Sequence, residues 1–529
     1  MGKKTRRFQN KGYSHTGASI TKRALKGFDG QSGSPNEDIN YNNNLLRQRS
    51  RVLMMSGGLA LSAIKINRTN IVGGGLYPKS RIDKDVLKMT TEEADIWQKD
   101  TEREFALWAN NKRACDATGM NDFYSMQALA LMAWMASGDS FCLFKRVKAT
   151  NFFPYSLRLH VIEADRVSTP NGLSDGCPAI TDGTQNGNKI YDGVEINKDG
   201  LITAYHIRNN YPRERNAERT VWQRVIAFGE LTELPNILQV ANTERPDQYR
   251  GAPYLAPVIE PILQVRRYTE AELMAAIVES FYTAFITTEN ADEVPFNEAI
   301  PDDVQPVSTD DNEYEMGPGT TIALKPGENV TFGDPKRPAG GFNNFVRAIS
   351  VQIGAALEIP ADLLLKEFNA SYSASRAALL EAWKAFKMRR SWFVSDFCKP
   401  IYETWMYEAI ALGRISAPGF FTDPIIRQAY LGTSWIGPSQ GMLDPTKEIS
   451  AEIMACEYGL STYSDSTTRI NGSDWDANIE RLVVENTKLT AAKTKNPEID
   501  ELIKEAVKEG LKTEEKDAGN NATTTKSEG

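Results

Sequence analysis

The sequence predicts a mixed α+β protein of several modules. Three observations support this: a length of 529 residues, a run of short β-type segments in the first half, and long helical patterns in the second. Single hydrophobic cores stop growing well below this length, so one compact domain does not suffice. Apolar residues at 41% and charged residues at 25% are the shares of a chain that folds rather than one that stays disordered.

Residues 1–35 read as a basic mobile arm, because Lys3 to Lys26 carry eight Lys or Arg and no acid among Gly, Ser and Asn. Ordered structure is expected from about Asn36, with Asp38 capping a helix through Leu45, Leu46, Val52 and Leu53. Gly57 and Gly58 loosen the chain before an apolar helix from Leu59 to Ile71, which Gly73 to Gly75 terminate. Trp97, Phe105 and Trp108 mark the core stripe of the next helix, and Leu129, Met132 and Met135 that of the one after. Strands are expected at Phe141 to Val147, Leu157 to Ile162, Gly193 to Ile196 and Ala204 to Ile207, separated by Gly, Asn and Asp turns.

From Ala256 to about Phe285 apolar residues recur at three- and four-residue steps, which predicts a helix of about thirty residues, roughly 45 Å long. Acid, Pro and Gly then dominate an excursion from Thr287 to Pro338. Helical periodicity returns at Phe342, Val346, Ile349, Ile353 and Leu357 and stops at Pro360. One helix leads out and a second leads back. The polar segment Ala361 to Ser375 precedes a long aromatic helix carrying Trp383, Phe386, Phe397 and Trp405, with Ser373 or Ser375 as its cap. Helical patterns resume from Lys447 to Tyr458 and from Trp475 to about Leu511, and the low-complexity residues 512–529 are expected to be disordered.

Motifs for chemistry are weak. The stretch GGGLYPKS, Gly73 to Ser80, approaches a phosphate-binding loop, but Pro78 stands where the second glycine belongs and offers no N–H. The three histidines, His15, His160 and His206, form no HExxH spacing and no nucleophile pairing. Cys115, Cys142, Cys177, Cys398 and Cys456 lie far apart with no CxxC, which fits free thiols in a reducing compartment. The carboxylate pairs Glu163 with Asp165 and Asp302 with Asp303 admit a metal, although such pairs in loops mostly form solvated turns. The most apolar run, Met126 to Ala136, is too short to cross a bilayer, and the basic N-terminus lacks an apolar secretory core, so the protein is expected to remain in the cytoplasm where it is made. A net charge of −8 counts against a tight DNA clamp and suits a conduit that lets DNA slide. No catalytic, cofactor or metal residue is assigned.

Several groups of residues, taken in order along the chain, form one series. They are Asn36, Asp38, Leu46, Arg47, Arg49, Ser50 and Arg51; Val72, Gly73, Gly75 and Leu76; Trp97, Phe105, Trp108, Cys115 and Asp116. Ile162, Glu163, Asp165, Arg166 and Pro170 follow, then Gly193, Val194, Gly200, Ala204, Tyr205 and His206, and Arg245, Pro246, Gln248, Arg250 and Gly251. The best-matched run is Pro318, Gly319, Leu324, Pro326 and Gly327, then Ser371 to Ser373, Ser375, Arg376, Leu379, Leu380 and Trp383. Trp435, Asp444, Pro445, Lys447, Glu448, Gly459, Leu460, Thr462, Gly472, Asp474 and Trp475 complete it, and the whole series resembles the lambda-like branch of the portal proteins of tailed bacteriophages. Two positions depart: Gln239 where relatives usually carry His, and Asp139 where Glu is commoner.

The resemblance implies a portal fold: an α+β wing over 36–255, a stem helix over 256–286, a clip over 287–338 and a second stem helix over 339–360. It further implies a tunnel loop over 361–375, a long aromatic helix and wing return over 376–446, and a helical crown over 447–511. In the tunnel loop Lys366, Asn369, Ser371, Tyr372 and Ser373 would face DNA, touching phosphate without reading bases. The implied assembly is a homo-oligomeric, dodecameric ring at one capsid vertex of the virion. Its implied partners are double-stranded DNA passing without sequence specificity, the terminase large subunit, a major capsid or scaffold protein and a head-tail adaptor, with no cofactor and no membrane. Two other readings remain: a metal-dependent nucleic-acid hydrolase using the acids between Asp302 and Glu315, and another virion structural subunit.

Overall fold

The computed structural model describes residues 17–19, 22–28, 30, 32–181, 183–215, 219–280, 284–288, 328–332, 341–368, 371–442 and 444–495. Most of the basic arm, most of the clip, the acids between Asp302 and Glu315, and residues 512–529 lie outside them. Helix accounts for 54% and strand for 15%, and every named strand pairing is antiparallel, which makes the class α+β.

The helices are α1 (Pro35–Met55), α2 (Gly58–Ile71), α3 (Lys84–Leu87), α4 (Thr91–Ala109), α5 (Lys112–Cys115) and α6 (Phe123–Ser137). After the main strands come α7 (Ile259–Ser280), α8 (Phe342–Ala356), α9 (Ala361–Leu365), α10 (Tyr372–Phe393) and α11 (Lys399–Ala411). Last are α12 (Pro424–Tyr430), α13 (Pro445–Glu457), α14 (Tyr463–Asn471) and α15 (Trp475–Lys495). The strands are β1 (Tyr77–Ser80), β2 (Asp139–Arg146), β3 (Leu157–Glu163), β4 (Cys177–Thr181), β5 (Thr184–Tyr191) and β6 (Val194–Ile196). They continue with β7 (Ile202–Arg208), β8 (Trp222–Ile226), β9 (Ile237–Ala241), β10 (Ala284–Thr288), β11 (Glu328–Phe332) and β12 (Thr433–Ile436).

Several local expectations are corrected. The cap of α1 is Ser34, not Asp38: Ser34 accepts from the Glu37 amide while Glu37 reaches back to the Ser34 amide, and Pro35 presets the first helical φ. The outgoing helix is shorter than its periodicity suggests. A 3-10 turn occupies Ala256–Val258, α7 ends at Ser280 about 33 Å from its start, and β10 begins at Ala284. Neither Ser373 nor Ser375 caps the aromatic helix, because the Ser371 carbonyl already accepts from the Ser375 amide at 2.9 Å and α10 opens at Tyr372. That helix runs on to Ala411 through one π turn, Val394–Cys398, just before Pro400, whose nitrogen has no hydrogen to donate back to Asp396.

The chain divides into two compact units. The first comprises Met1–Ile66, Ala130–Leu143 and Val161–Ala385. Strands β4 to β8 form its five-stranded antiparallel meander, and β9 pairs with Asp139 to Leu143 of β2. Phe141, Ile162, Val167, Val194, Tyr205, Ile207 and Ile237 supply its sheet core. The second unit comprises Asn67–Leu129, Phe144–His160 and Phe386–Gly529. Its interior is a ring cluster: Phe105 stands edge-on to Phe123 at 5.6 Å and to Trp405 at 5.0 Å, and Phe123 stacks on Phe397 at 6.3 Å. Trp108 completes it, with its indole N–H donated to the Leu157 carbonyl at 3.1 Å.

Candidate functional site

The segment expected to face DNA is built on the returning helix. α8 packs beside α7 through Tyr268, which stacks on Phe342 at 5.5 Å and meets Phe345 edge-on at 4.7 Å. Past Ala356 the chain doubles back: the Ile359 amide donates to the Gly354 carbonyl at 2.8 Å, and a Cβ on Gly354 would collide with the Ile359 carbonyl oxygen. The Tyr254 hydroxyl donates to the Leu357 carbonyl, Ser62 Oγ to the Leu364 carbonyl at 2.9 Å, and Arg347 pairs with Asp362 at 3.4 Å. The corner is therefore held from three sides.

Part of the segment expected as loop is helical, since α9 forms a short turn of its own. Lys366 closes it in the left-handed conformation, φ 57° and ψ 35°, with an exposed side chain. Ser371 is exposed, Tyr372 and Ser373 open α10, and Asn369 lies outside the described residues. The four described residues thus fall at the end of α9 and the start of α10.

Arg47, Gln248, Arg250 and Gly251, four of the residues that carry the family resemblance, meet elsewhere in this unit, in a buried ionic network. Asp139, at the head of β2, accepts from Arg250 Nε at 2.7 Å, Arg47 Nη2 at 3.3 Å, the Gly251 amide at 2.7 Å and Gln239 Nε2 at 3.1 Å. Asp192 joins both arginines, at 3.0 Å each. Arg250 is fully buried, spends its other N–H groups on the carbonyls of Val167, Ala164 and Asp192, and lies over the Phe141 ring at 5.3 Å. Burial and the neighbouring Arg250 pull the Arg47 guanidinium below its ordinary value, while Asp192 and Asp139 oppose them. Gln248 accepts from the Glu244 and Arg245 amides and donates to the Arg250 carbonyl, and Arg245 pairs with Asp38 at 2.6 Å. Two cations against two carboxylates balance in charge, and nearly every donor is used, so the network is a structural nucleus. The two positions at which the resemblance leads one to expect other residues, Gln239 and Asp139, touch each other.

A second buried carboxylate, Glu195 on β6, accepts bidentately from Arg224 at 2.7 and 2.9 Å, from His206 at 3.1 Å, and from Asn186 and Asn188 at 2.9 and 2.7 Å. Burial alone would raise its pKa, but the hydrogen bonds, led by Arg224, hold it well below the usual carboxylate range. A carboxylate so locked has no lone pair left for chemistry.

The other sequence candidates have structural partners. Glu163 and Asp165 both face Arg51. In the glycine-rich stretch the Leu76 amide and carbonyl are held by Gln127 at 2.6 and 3.0 Å, and Tyr77–Ser80 pairs as β1 with β12. Cys115, Cys142 and Cys398 are buried and outside any disulfide, and burial pushes Cys115 up to about 12. Leu129, expected in the core stripe of α6, is exposed, while Met126, Ala130, Leu131 and Trp134 are buried. Among the described residues no group of three or more His, Cys, Asp or Glu side chains is placed to hold a metal, and no helix is long and apolar enough to cross a membrane.

What these elements define is an α+β protein whose buried charges, among the described residues, are paired within its own scaffold. The model of the phage portal protein, lambda family, matches residues 21–390, and the chain belongs to that family. It is therefore a portal protein, a virion component at the capsid vertex that serves DNA packaging. It is 22% identical over 487 residues to the portal protein of Escherichia phage N15, covering 88% of each chain. It is 23% identical to portal protein B of Escherichia phage lambda, covering 89% of this chain and 90% of that one. The probable portal protein of Halomonas phage phiHAP-1 is 24% identical, covering 83% and 79%. Among solved structures, a chain in the neck of a native gene transfer agent particle, computed with C12 symmetry, is similar over 80% of this chain and 92% of that chain, at 13% identity and a TM-score of 0.42.

Proposed function

We propose that the chain assembles into a closed, dodecameric ring around a DNA channel, recruits the terminase large subunit during packaging, and later binds a head-tail adaptor. On this reading it works without chemistry of its own and assembles with a capsid or scaffold protein in the host cytoplasm. The observation that supports the ring is the apolar surface left open on the stem helices. Leu273 and Met274 on α7 are 61% and 60% exposed, Ile277 follows one turn on, and α8 leaves Phe345 and Val351 open. Each such side chain gains about 1.5–3 kcal/mol on full burial, so a helix pair that exposes them in one protomer is stabilised by a neighbour. If the open face of α7 meets a different face on the next protomer, the contact is heterologous, and such a contact builds a ring when its rotation closes and a filament when it does not.

The tunnel-loop assignment belongs to the same proposal: Lys366, Asn369, Ser371, Tyr372 and Ser373 would line the channel, where an acidic subunit guides DNA rather than gripping it. Electron microscopy of purified protein should show twelve-fold rings, and Leu273→Glu with Ile277→Glu should reduce them to monomers of unchanged helicity. Wild-type protein that stays monomeric or dimeric under all conditions would defeat the reading.

A further inference from the structure

The hairpin joining β2 to β3 leaves a cationic, aromatic tip that nothing in the fold uses. Across it the Val147 amide donates to the Ser156 carbonyl at 2.9 Å, and Thr150 and Phe153 exchange amide-to-carbonyl bonds at 2.9 and 3.0 Å to close a tight turn. Two adjacent phenylalanines then part company. Phe153 is the rivet, with Arg113 above its ring at 5.4 Å and Arg158 at 6.0 Å. Phe152 is 89% exposed. Folding gains nothing from it there.

The charge around it is one-sided. No Asp or Glu occurs between Ser140 and Ile162, in a chain whose net charge is −8. Of the local cations, Arg146 is neutralised by Glu408 at 2.7 Å, and Arg158 is buried against the Tyr155 and Leu157 carbonyls at 2.8 and 2.9 Å. Lys112, Arg113, Lys145 and Lys148 remain exposed with no carboxylate partner among the described residues. Lys145 and Lys148 on the hairpin, Arg113 packed on its Phe153 ring, the adjoining Lys112 and the exposed Phe152 make a preformed site for a polyanion, on a turn pinned by its own hydrogen bonds.

We infer that this hairpin tip is a site for the backbone of double-stranded DNA, separate from the segment 361–375. The lysines and Arg113 contact phosphates without reading sequence, and Phe152 lies against the sugar and base edges of a groove. Charge complementarity selects this occupant, because DNA is the polyanion that a portal protein handles. The inference rests on that family assignment but not on the ring.

The test uses the full chain in its assembled state, with assembly checked by light scattering, and follows binding of a labelled random-sequence duplex as a function of salt. Lys145→Glu with Lys148→Glu should weaken binding about tenfold and lower the slope of log affinity against log salt by about 2, since each lost phosphate contact removes about 0.9. The glutamine versions should give an intermediate loss, and Phe152→Ser a several-fold loss with an unchanged slope. All these positions are exposed, so the melting temperature should not move. Affinity and slope unchanged in every variant would overturn the proposal. So would unchanged DNA binding with lost incorporation into particles, which would assign the tip to an acidic protein surface instead. Loss of oligomers in wild-type protein would bear on the ring alone and leave this comparison intact.

Discussion

The interior of one unit is organised by two arginines, and that of the other by aromatic rings. Arg47 and Arg250 lie with Asp139 and Asp192 in a net whose every bond has a fixed direction, whereas Phe105, Trp108, Phe123, Phe397 and Trp405 meet through edges and faces that tolerate small shifts. Directional bonds in a dry interior fail together when one partner goes, because the others are left charged and unpaired. Ring contacts fail in proportion to the area and edges removed. The two units should therefore answer substitution differently, one abruptly and one by degrees.

The sharpest separation is expected from Arg250→Ala, which strands two carboxylates and three backbone carbonyls and should cost the first unit about 3–5 kcal/mol. Lysine should not rescue it, since one ammonium cannot reproduce the guanidinium fork. Phe105→Leu in the second unit should cost only about 1–2 kcal/mol. Hydrogen exchange read separately on β2, β7 and β9 and on α4 and α11 will decide; equal, graded losses in both would erase the contrast.

Acid should divide the units next. The Glu195 pKa is depressed on folding, so its contribution is present above the unfolded value of about 4.3 and is lost as pH falls below it. Exchange protection in β6, β7 and β8 should drop between neutral pH and pH 3 more than protection in α4 and α11 does. Glu195→Gln should flatten that difference, and a pH response identical in the variant would show that another group governs it.

The finest comparison lies inside the ionic net. Asp139→Glu and Gln239→His, the residues that the resemblance leads one to expect, should each destabilise alone, and the double variant should recover about 0.5–1 kcal/mol of the summed loss, because the two side chains share a hydrogen bond at 3.1 Å. Strict additivity in chemical denaturation would mean that the contact couples nothing.

The same contrast explains what could be read in advance. Phe105, Trp108 and Trp405 announce themselves by helical spacing, and the structure buries all three. Leu129 misleads because α6 is apolar on nearly every side, so periodicity cannot say which way it faces. The arginine net escapes periodicity altogether. Arg47 sits in a polar, Asn-rich helix that looks like surface, and its partners lie 92 and 145 positions away. Resemblance singles out Arg47, Arg250 and Gly251 without saying what they do. The helix starts teach a local lesson: the Ser34 to Glu37 spacing is a capping box in plain view, and Asp38 only appears to compete with it. Over residues 361–375 the polar composition reads as loop, but Lys366 closes α9 in the left-handed conformation and Ser371 directly precedes α10.

Gly138 and Gly251 lie back to back beneath the arginine net, Gly138 with a φ of 87°, and a Cβ added to either would land on the carbonyl oxygen of the other. No replacement at one position can be absorbed by a change at the second, since both partners in the collision are backbone. The pair therefore has no neutral neighbours in sequence space: any side chain placed at either position must push one backbone strand off the other.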